Sequence, residues 1–203
     1  LCLSSSLYYT VCMSKFVHLH THSHYSLLEA LPKIPDLVAY AKKHEMKALA
    51  LTDAGNLYGA IEFYKECKDE DIKPIIGVDA YMAPRTRLDK EARIDASRSR
   101  LVLLASNMDG YKNLLKLVSL SYLEGFYYKP RMDKEILEKY KDGLIAILPS
   151  FNNTDLEEQI TWYKKTFEDK FFVEITHHPE IANHEDKQTE RIALAKKLGV
   201  EIV

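Results

Sequence analysis

Four of the eight histidines in this chain fall within seven residues, in the stretch Phe16-Val17-His18-Leu19-His20-Thr21-His22-Ser23-His24. Imidazoles at alternate positions lie on one face of an extended strand. Two such rings can share a metal ion when a carboxylate or a third imidazole comes close. Phe16, Val17 and Leu19 predict a buried strand whose one face carries His18 and His20, where bare polar rings would need a partner. His22 and His24 read as loop residues beyond it. Polar groups that could join the pair recur where predicted strands end: Asp53, Asp79 and Ser150.

The elements that must position these groups follow from periodicity. Ile34, Leu37, Val38 and Ala41 mark one face of a helix beginning near Pro32. A short apolar strand runs from Ala48 to Thr52. Asn56 is expected to cap a second helix, with Leu57, Ala60, Ile61 and Tyr64 as its stripe. Strands are predicted at Pro74 to Tyr81 and Leu101 to Ala105, then a helix on Tyr111, Leu114, Leu115 and Val118. Asp133 opens a short helix, and Leu144 to Leu148 is a strand stopped by Pro149. Thr154 and Glu157 form a capping box for a helix bearing Leu156, Ile160, Tyr163 and Phe167. A strand at Phe171 to Ile175, a helix ending at Gly199 and a strand from Val200 complete the series. Between them, 84–100 mixes Arg85, Arg87, Arg93, Arg98 and Arg100 with Asp89, Glu91 and Asp95. It reads as an exposed, mobile surface loop in preference to a phosphate contact.

Strands alternating with helices predict a mostly parallel α/β sheet, and seven units point to a β/α barrel. Functional groups then gather at the C-terminal ends of the strands, where His20, Asp53, Asp79 and Ser150 would lie. The chain stops as its last strand begins, so the barrel is expected to be incomplete at its C-terminus and the chain to be a fragment. Residues 1–12, serine-rich and without a basic start, are expected to be a disordered extension or start-site artefact, with the folded domain spanning 13–203.

With 203 residues, 46% hydrophobic, 29% charged and a net charge of −2, the chain suits a globular domain and lacks the basic excess of a free-standing nucleic-acid binder. Three cysteines without ligand spacing suit a reducing, cytoplasmic setting, and no stretch is apolar enough to span a membrane.

Four ordered blocks carry a resemblance. FVHLHTHSHYSLLEA, LALTDAGNLYGAIEFYK, IKPIIGVDAYMAP and YLEGFYYKPRMDKEIL resemble the PHP (polymerase and histidinol phosphatase) family, in the branch that opens the bacterial DNA polymerase III alpha subunit. The match runs from about Phe16 to the end, and YLEGFYYKPR is peculiar to the polymerase branch. The resemblance implies a distorted seven-stranded, TIM-like β/α barrel of the PHP type. It also implies a mouth where His, Asp, Glu and Cys ligands hold up to three zinc, manganese or magnesium ions. Such clusters activate water for phosphoester hydrolysis. In some polymerases the site is a proofreading activity; in others it is degenerate, and the domain docks a separate proofreading exonuclease subunit.

Carried over residue by residue, the resemblance makes His18 and His20 the first two metal ligands. Glu29 stands for a family Asp, and Asp79 for a family Glu. Three ligand positions have lost their chemistry: Ala54 and Arg100 replace histidines, and Ser150 replaces a cysteine. The vestigial set His18, His20, Glu29 and Asp79 would hold one divalent ion loosely at most, and no metal would be required. Arg100 is expected to stand in for the missing cation by pairing with Glu29 or Asp79.

The expected function is therefore a non-catalytic PHP scaffold of a DNA-directed DNA polymerase, reaching DNA through that parent chain. Its expected partners are the rest of the alpha chain and the exonuclease subunit. The alternative is an active metal-dependent phosphoesterase, either a 3′–5′ proofreading exonuclease or a small-phosphate phosphatase. An unrelated barrel with incidental histidines is disfavoured by the ordered blocks. His177 and His178 match no family ligand and read as surface residues. Tyr122, Phe126, Tyr127 and Tyr128, beside Lys129 and Arg131, are expected to pack against a neighbouring domain rather than to stack on bases. Trp162 reads as packing.

Overall fold

The computed structural model describes residues 16–150, 156–178 and 180–203. The readings for residues 1–12 and for the Thr154 half of the capping box lie outside them. In chain order the elements are α1 (Ile34–Lys43), β1 (Ala48–Leu51), α2 (Ala60–Asp69), β2 (Lys73–Met82), β3 (Ser99–Ala105), α3 (Met108–Leu123), β4 (Phe126–Tyr127), β5 (Lys129–Met132), α4 (Lys134–Tyr140), β6 (Leu144–Leu148), α5 (Leu156–Phe167), β7 (Phe171–Val173), α6 (His184–Leu198) and β8 (Glu201–Ile202).

The strands form one curled sheet in the order β4-β5-β2-β3-β6-β7-β8, with β1 on β2, a half-barrel of α/β type. β2 is its spine. Its first half pairs parallel with β1, and its second half pairs with β3. The switch falls at Gly77, where a Cβ would stand 2.6 Å from both the Leu103 carbonyl and the Leu104 side chain. Only a residue without a side chain lets the two strands close there.

The sheet is mixed: among the described residues four of its strand pairs are parallel, as the sequence led one to expect, and three are antiparallel. β3 runs antiparallel to both β2 and β6. No helix separates β2 from β3, so nothing imposes a parallel crossover. The Phe16–His24 strand is corrected. This stretch is irregular, although Ala50 N–H donates to the His18 carbonyl at 2.9 Å and Thr52 N–H to the Thr21 carbonyl at 2.8 Å. Asn56 does not cap α2, whose N-cap is Gly59. Its side-chain amide instead donates to the Tyr25 and Ala54 carbonyls, tying two loops together. Asp133 caps α4 by accepting from Ile136 N–H, and Gly199 ends α6 at φ +64°.

The main core lies between the sheet and α3 to α6, with Leu101, Leu103, Leu114, Leu117, Leu144 and Leu148 at its centre. A second core joins α1 and α2 to β1 through Ile34, Val38, Leu51 and Phe63. The segment 84–98 is less free than its composition suggests. Arg131 is fully buried and donates to the carbonyls of Gly125, Arg87, Asp89 and Asp95 at 2.8–3.1 Å. Arg85 pairs with buried Asp95, and Arg87 with Asp133. Among the described residues no helix is long and apolar enough to cross a membrane.

Candidate metal centre

The site is built on Asp79 in β2, whose side chain is 3% exposed. Register explains its first partner. Tyr81 faces Arg100 across the β2–β3 ladder, and Asp79 lies two residues back on the same face. Arg100 reaches along that face, its Nε 2.9 Å from Asp79 Oδ1 while a terminal nitrogen donates to Oδ2. This is a bidentate, charge-assisted pair. A terminal nitrogen also reaches Glu29 at 3.4 Å, and the guanidinium lies over the Tyr81 ring at 4.3 Å.

The histidine loop supplies the other partners. Its path is set by Asp53, which is buried and accepts from Ser23 N–H at 2.7 Å, Ser23 Oγ at 2.8 Å and Ser26 Oγ at 2.6 Å. Asp53 is thus spent as a loop staple. The loop delivers His20 Nε2 and His22 Nε2 to Asp79 Oδ2, each at 3.1 Å. His20 Nδ1 meets Glu174 Oε1 at 2.8 Å, and Glu174 also accepts from Ser150 N–H at 3.0 Å.

Both nitrogens of His20 therefore face carboxylates, an arrangement satisfied when both donate, which is the imidazolium. Burial pulls the His20 pKa down, but Asp79 and Glu174 outweigh it and raise it to about 9. Burial opposes ionisation of Asp79, yet hydrogen bonds from His20, His22 and Arg100 hold it well below the usual carboxylate range. Glu174 is lowered in the same way: burial raises it, and His20 more than offsets that. For Glu29 burial is again opposed, here by the Tyr81 hydroxyl at 2.8 Å, Arg100 and Lys129, so its pKa is lowered. Three carboxylates thus face three cations, and the cluster is balanced without an added ion.

The ligand-type atoms brought together among the described residues are those of His20, His22 and Asp79, within 4.8 Å of one another. Two expected ligands stand elsewhere. His18 is partly buried, edge-on to Phe16 at 4.8 Å, and its carbonyl rather than its ring is bound to β1. Glu29 is tied to Tyr81, Arg100 and Lys129. Ala54 forms a bridge with Asp79 through backbone alone. Ser150 Oγ donates to the Glu174 carbonyl at 3.0 Å. The reading of His22 as a plain loop residue gives way, because the loop turns its ring onto Asp79. Glu174 was missed, and its signal was an acid one residue past a strand end in FFVEITHH.

As a donor set for a metal, this arrangement is a poor fit. Both Asp79 oxygens already accept charged donors, and His20 carries the proton that a ligand must lose. With the His20 pKa raised to about 9 by Asp79 and Glu174, that proton is retained at pH 7 and competes with a metal for the ring.

Residues 18–178 match the family model for the PHP domain. Over 202 residues the chain is 46% identical to DNA polymerase III subunit alpha of Borreliella burgdorferi, covering 93% of this chain and 17% of that protein. Over 174 residues it is 43% identical to the protein of the same name from Chlamydia trachomatis, covering 80% and 14%. The chain therefore spans less than a fifth of the length of these curated relatives. Among solved structures it is similar in fold to an amidohydrolase from Chromobacterium violaceum with bound sulfate and no metal. That TM-score is 0.56 at 12% identity, with 92% of this chain and 84% of the other covered.

Proposed function

Since the chain belongs to the PHP domain family, we propose that it is part of a bacterial replicative polymerase alpha chain and serves there as a folded support rather than as a hydrolase. The observation that carries this reading is the bidentate Arg100–Asp79 pair. A fixed guanidinium supplies positive charge to the carboxylate that a metal would otherwise neutralise, but it cannot activate water. Glu29 and Asp79 remain ionised because Arg100, Lys129 and the His20 imidazolium answer them. The domain then needs no metal to fold, and a divalent ion binds only loosely, on displacing the His20 proton and Arg100. The setting is the cytoplasm, DNA is met through the parent polymerase, and the mouth or its flanks are free to dock an exonuclease subunit.

One observation favours a second reading. The donor atoms of His20, His22 and Asp79 lie close enough to share an ion, the minimum from which a metal-dependent phosphoesterase could be built. Incubation with a 3′-mismatched primer and manganese separates the two. The support reading expects no loss of terminal nucleotides. Loss that disappears in His20→Ala would establish the hydrolase instead.

A further inference from the structure

The β4–β5 hairpin and the residues leading into β3 form a rim beside the mouth that shares Arg100 and Lys129 with the metal-centre cluster and adds Arg98, Phe126 and Tyr128, which that cluster does not use. Three cations surround the Tyr81 ring: Arg100 at 4.3 Å, Lys129 at 5.3 Å and Arg98 at 5.7 Å. Their charges are unevenly answered. Arg100 is taken by Asp79 and shares Glu29 with Lys129, which sits at 3.4 Å. Arg98 donates to the Ala96 carbonyl and makes no ion pair among the described residues. The rim thus has a surplus cation, in a chain whose net charge is −2.

Aromatic rings are interleaved with these charges. Tyr128 lies at the hairpin turn with φ +60°, a conformation that is costly for a side chain of this size. It leaves the ring 70% exposed, edge-on to Tyr127 at 4.6 Å. On the adjoining strand Phe126, 48% exposed, stacks on Tyr122 at 6.2 Å and 27°. The turn is therefore strained and exposes a large ring next in sequence to Lys129, whose ammonium shares the Tyr81 ring with Arg98. Exposed rings together with nearby cations are the elements of a single-strand nucleic-acid platform: bases stack and phosphates meet the cations.

We propose that this rim binds single-stranded nucleic acid, with Tyr128 and Phe126 stacking bases and Arg98 and Lys129 holding phosphates. A protein partner would also accept exposed aromatics. The surplus positive charge favours a polyanion, and it does so whether or not the neighbouring centre hydrolyses anything.

The test is fluorescence anisotropy of a fluorescein-labelled oligothymidylate titrated with the 203-residue chain. Saturable binding is expected, weakening about sevenfold from about 50 to about 200 mM sodium chloride if two phosphates are neutralised. Arg98→Glu and Tyr128→Asn are each expected to weaken it about tenfold. Asparagine tolerates the left-handed backbone, so the second variant removes the ring without straining the turn. The control is Lys116→Glu. Lys116 also sits over an aromatic ring, that of Tyr140 at 5.3 Å, but in the middle of α3. It is expected to change binding less than about twofold. Absence of binding at low salt, or equal losses in Arg98→Glu and Lys116→Glu, would overturn the proposal. The first of these results would assign the aromatic rim to protein docking.

Discussion

Replacing Arg100 with methionine keeps much of its stem but removes the charge that answers Asp79. Asp79 is 3% exposed and Arg100 16%, so the pair is largely out of water. Removing one partner of a buried pair costs about 3–5 kcal/mol. Here two imidazole donors remain on Asp79 and the arginine is not fully dry, so a cost at or below the bottom of that range, about 2–3 kcal/mol, is expected. With a urea dependence of about 2 kcal/mol per molar, the midpoint falls by about 1 M. The same site predicts how metal should behave. Excess zinc should leave the unfolding midpoint of the unaltered chain unchanged in a chelator-controlled comparison. Arg100→His removes the blocking charge and adds an imidazole beside Asp79. If that variant binds zinc at about 1 µM, then about 100 µM zinc adds about 2.7 kcal/mol. The reasoning is refuted if Arg100→Met costs less than about 0.5 kcal/mol, or if the unaltered chain takes up zinc stoichiometrically at nanomolar concentration.

The remaining expectations use the same urea assay or simple proteolysis. His20 has a pKa of about 9, above its unfolded value near 6.5, so its contribution of about 3 kcal/mol is fully present below about pH 6.5 and is lost as pH rises through about 9. In EDTA, His20→Gln should flatten that alkaline limb, and an unchanged limb would contradict the double hydrogen bond. Glu174 and Asp79 are depressed instead, so their contributions are present above their unfolded values near pH 4 and fade as pH falls below them. Asp53→Ala strips the staple from Ser23 and Ser26, and should cost about 2–3 kcal/mol against less than about 1 for His18→Ala, as measured by urea midpoints. Arg131→Lys leaves one ammonium where a planar fork bridged four carbonyls, and trypsin should then cut at Lys90 or Arg93 well before the rest of the chain opens.

Much of this was legible from residue patterns, and the failures have identifiable causes. Apolar runs located β1, β2, β3, β6 and β7 because they are buried, and helical spacing located α1 and α3. The resemblance led to an expected pairing of Arg100 with Glu29 or Asp79, and the structure has Arg100 on both. Alternation could not choose among His18, His20 and His22, because all three occupy even positions and share one face of any ideal strand. The choice belongs to the Asp53 staple, a contact about thirty residues away in sequence that periodicity cannot see. The β4–β5 hairpin was missed because its turn uses Tyr128 at positive φ in place of the glycine or asparagine that usually announces one. Glu174 was not legible because its role depends on β7 lying beside β6 and the histidine loop, a contact 154 residues from His20 in sequence.

Arg131 grips the 84–98 segment through main-chain oxygens alone, and that has a consequence for how the segment can change over time. Exposed side chains there such as Lys90 and Arg93 are free to be exchanged, Arg85, Arg87 and Asp95 are held by their ion pairs, and an insertion or deletion would shift the oxygens off the fork. In related chains this stretch should therefore diverge in spelling but hold its length.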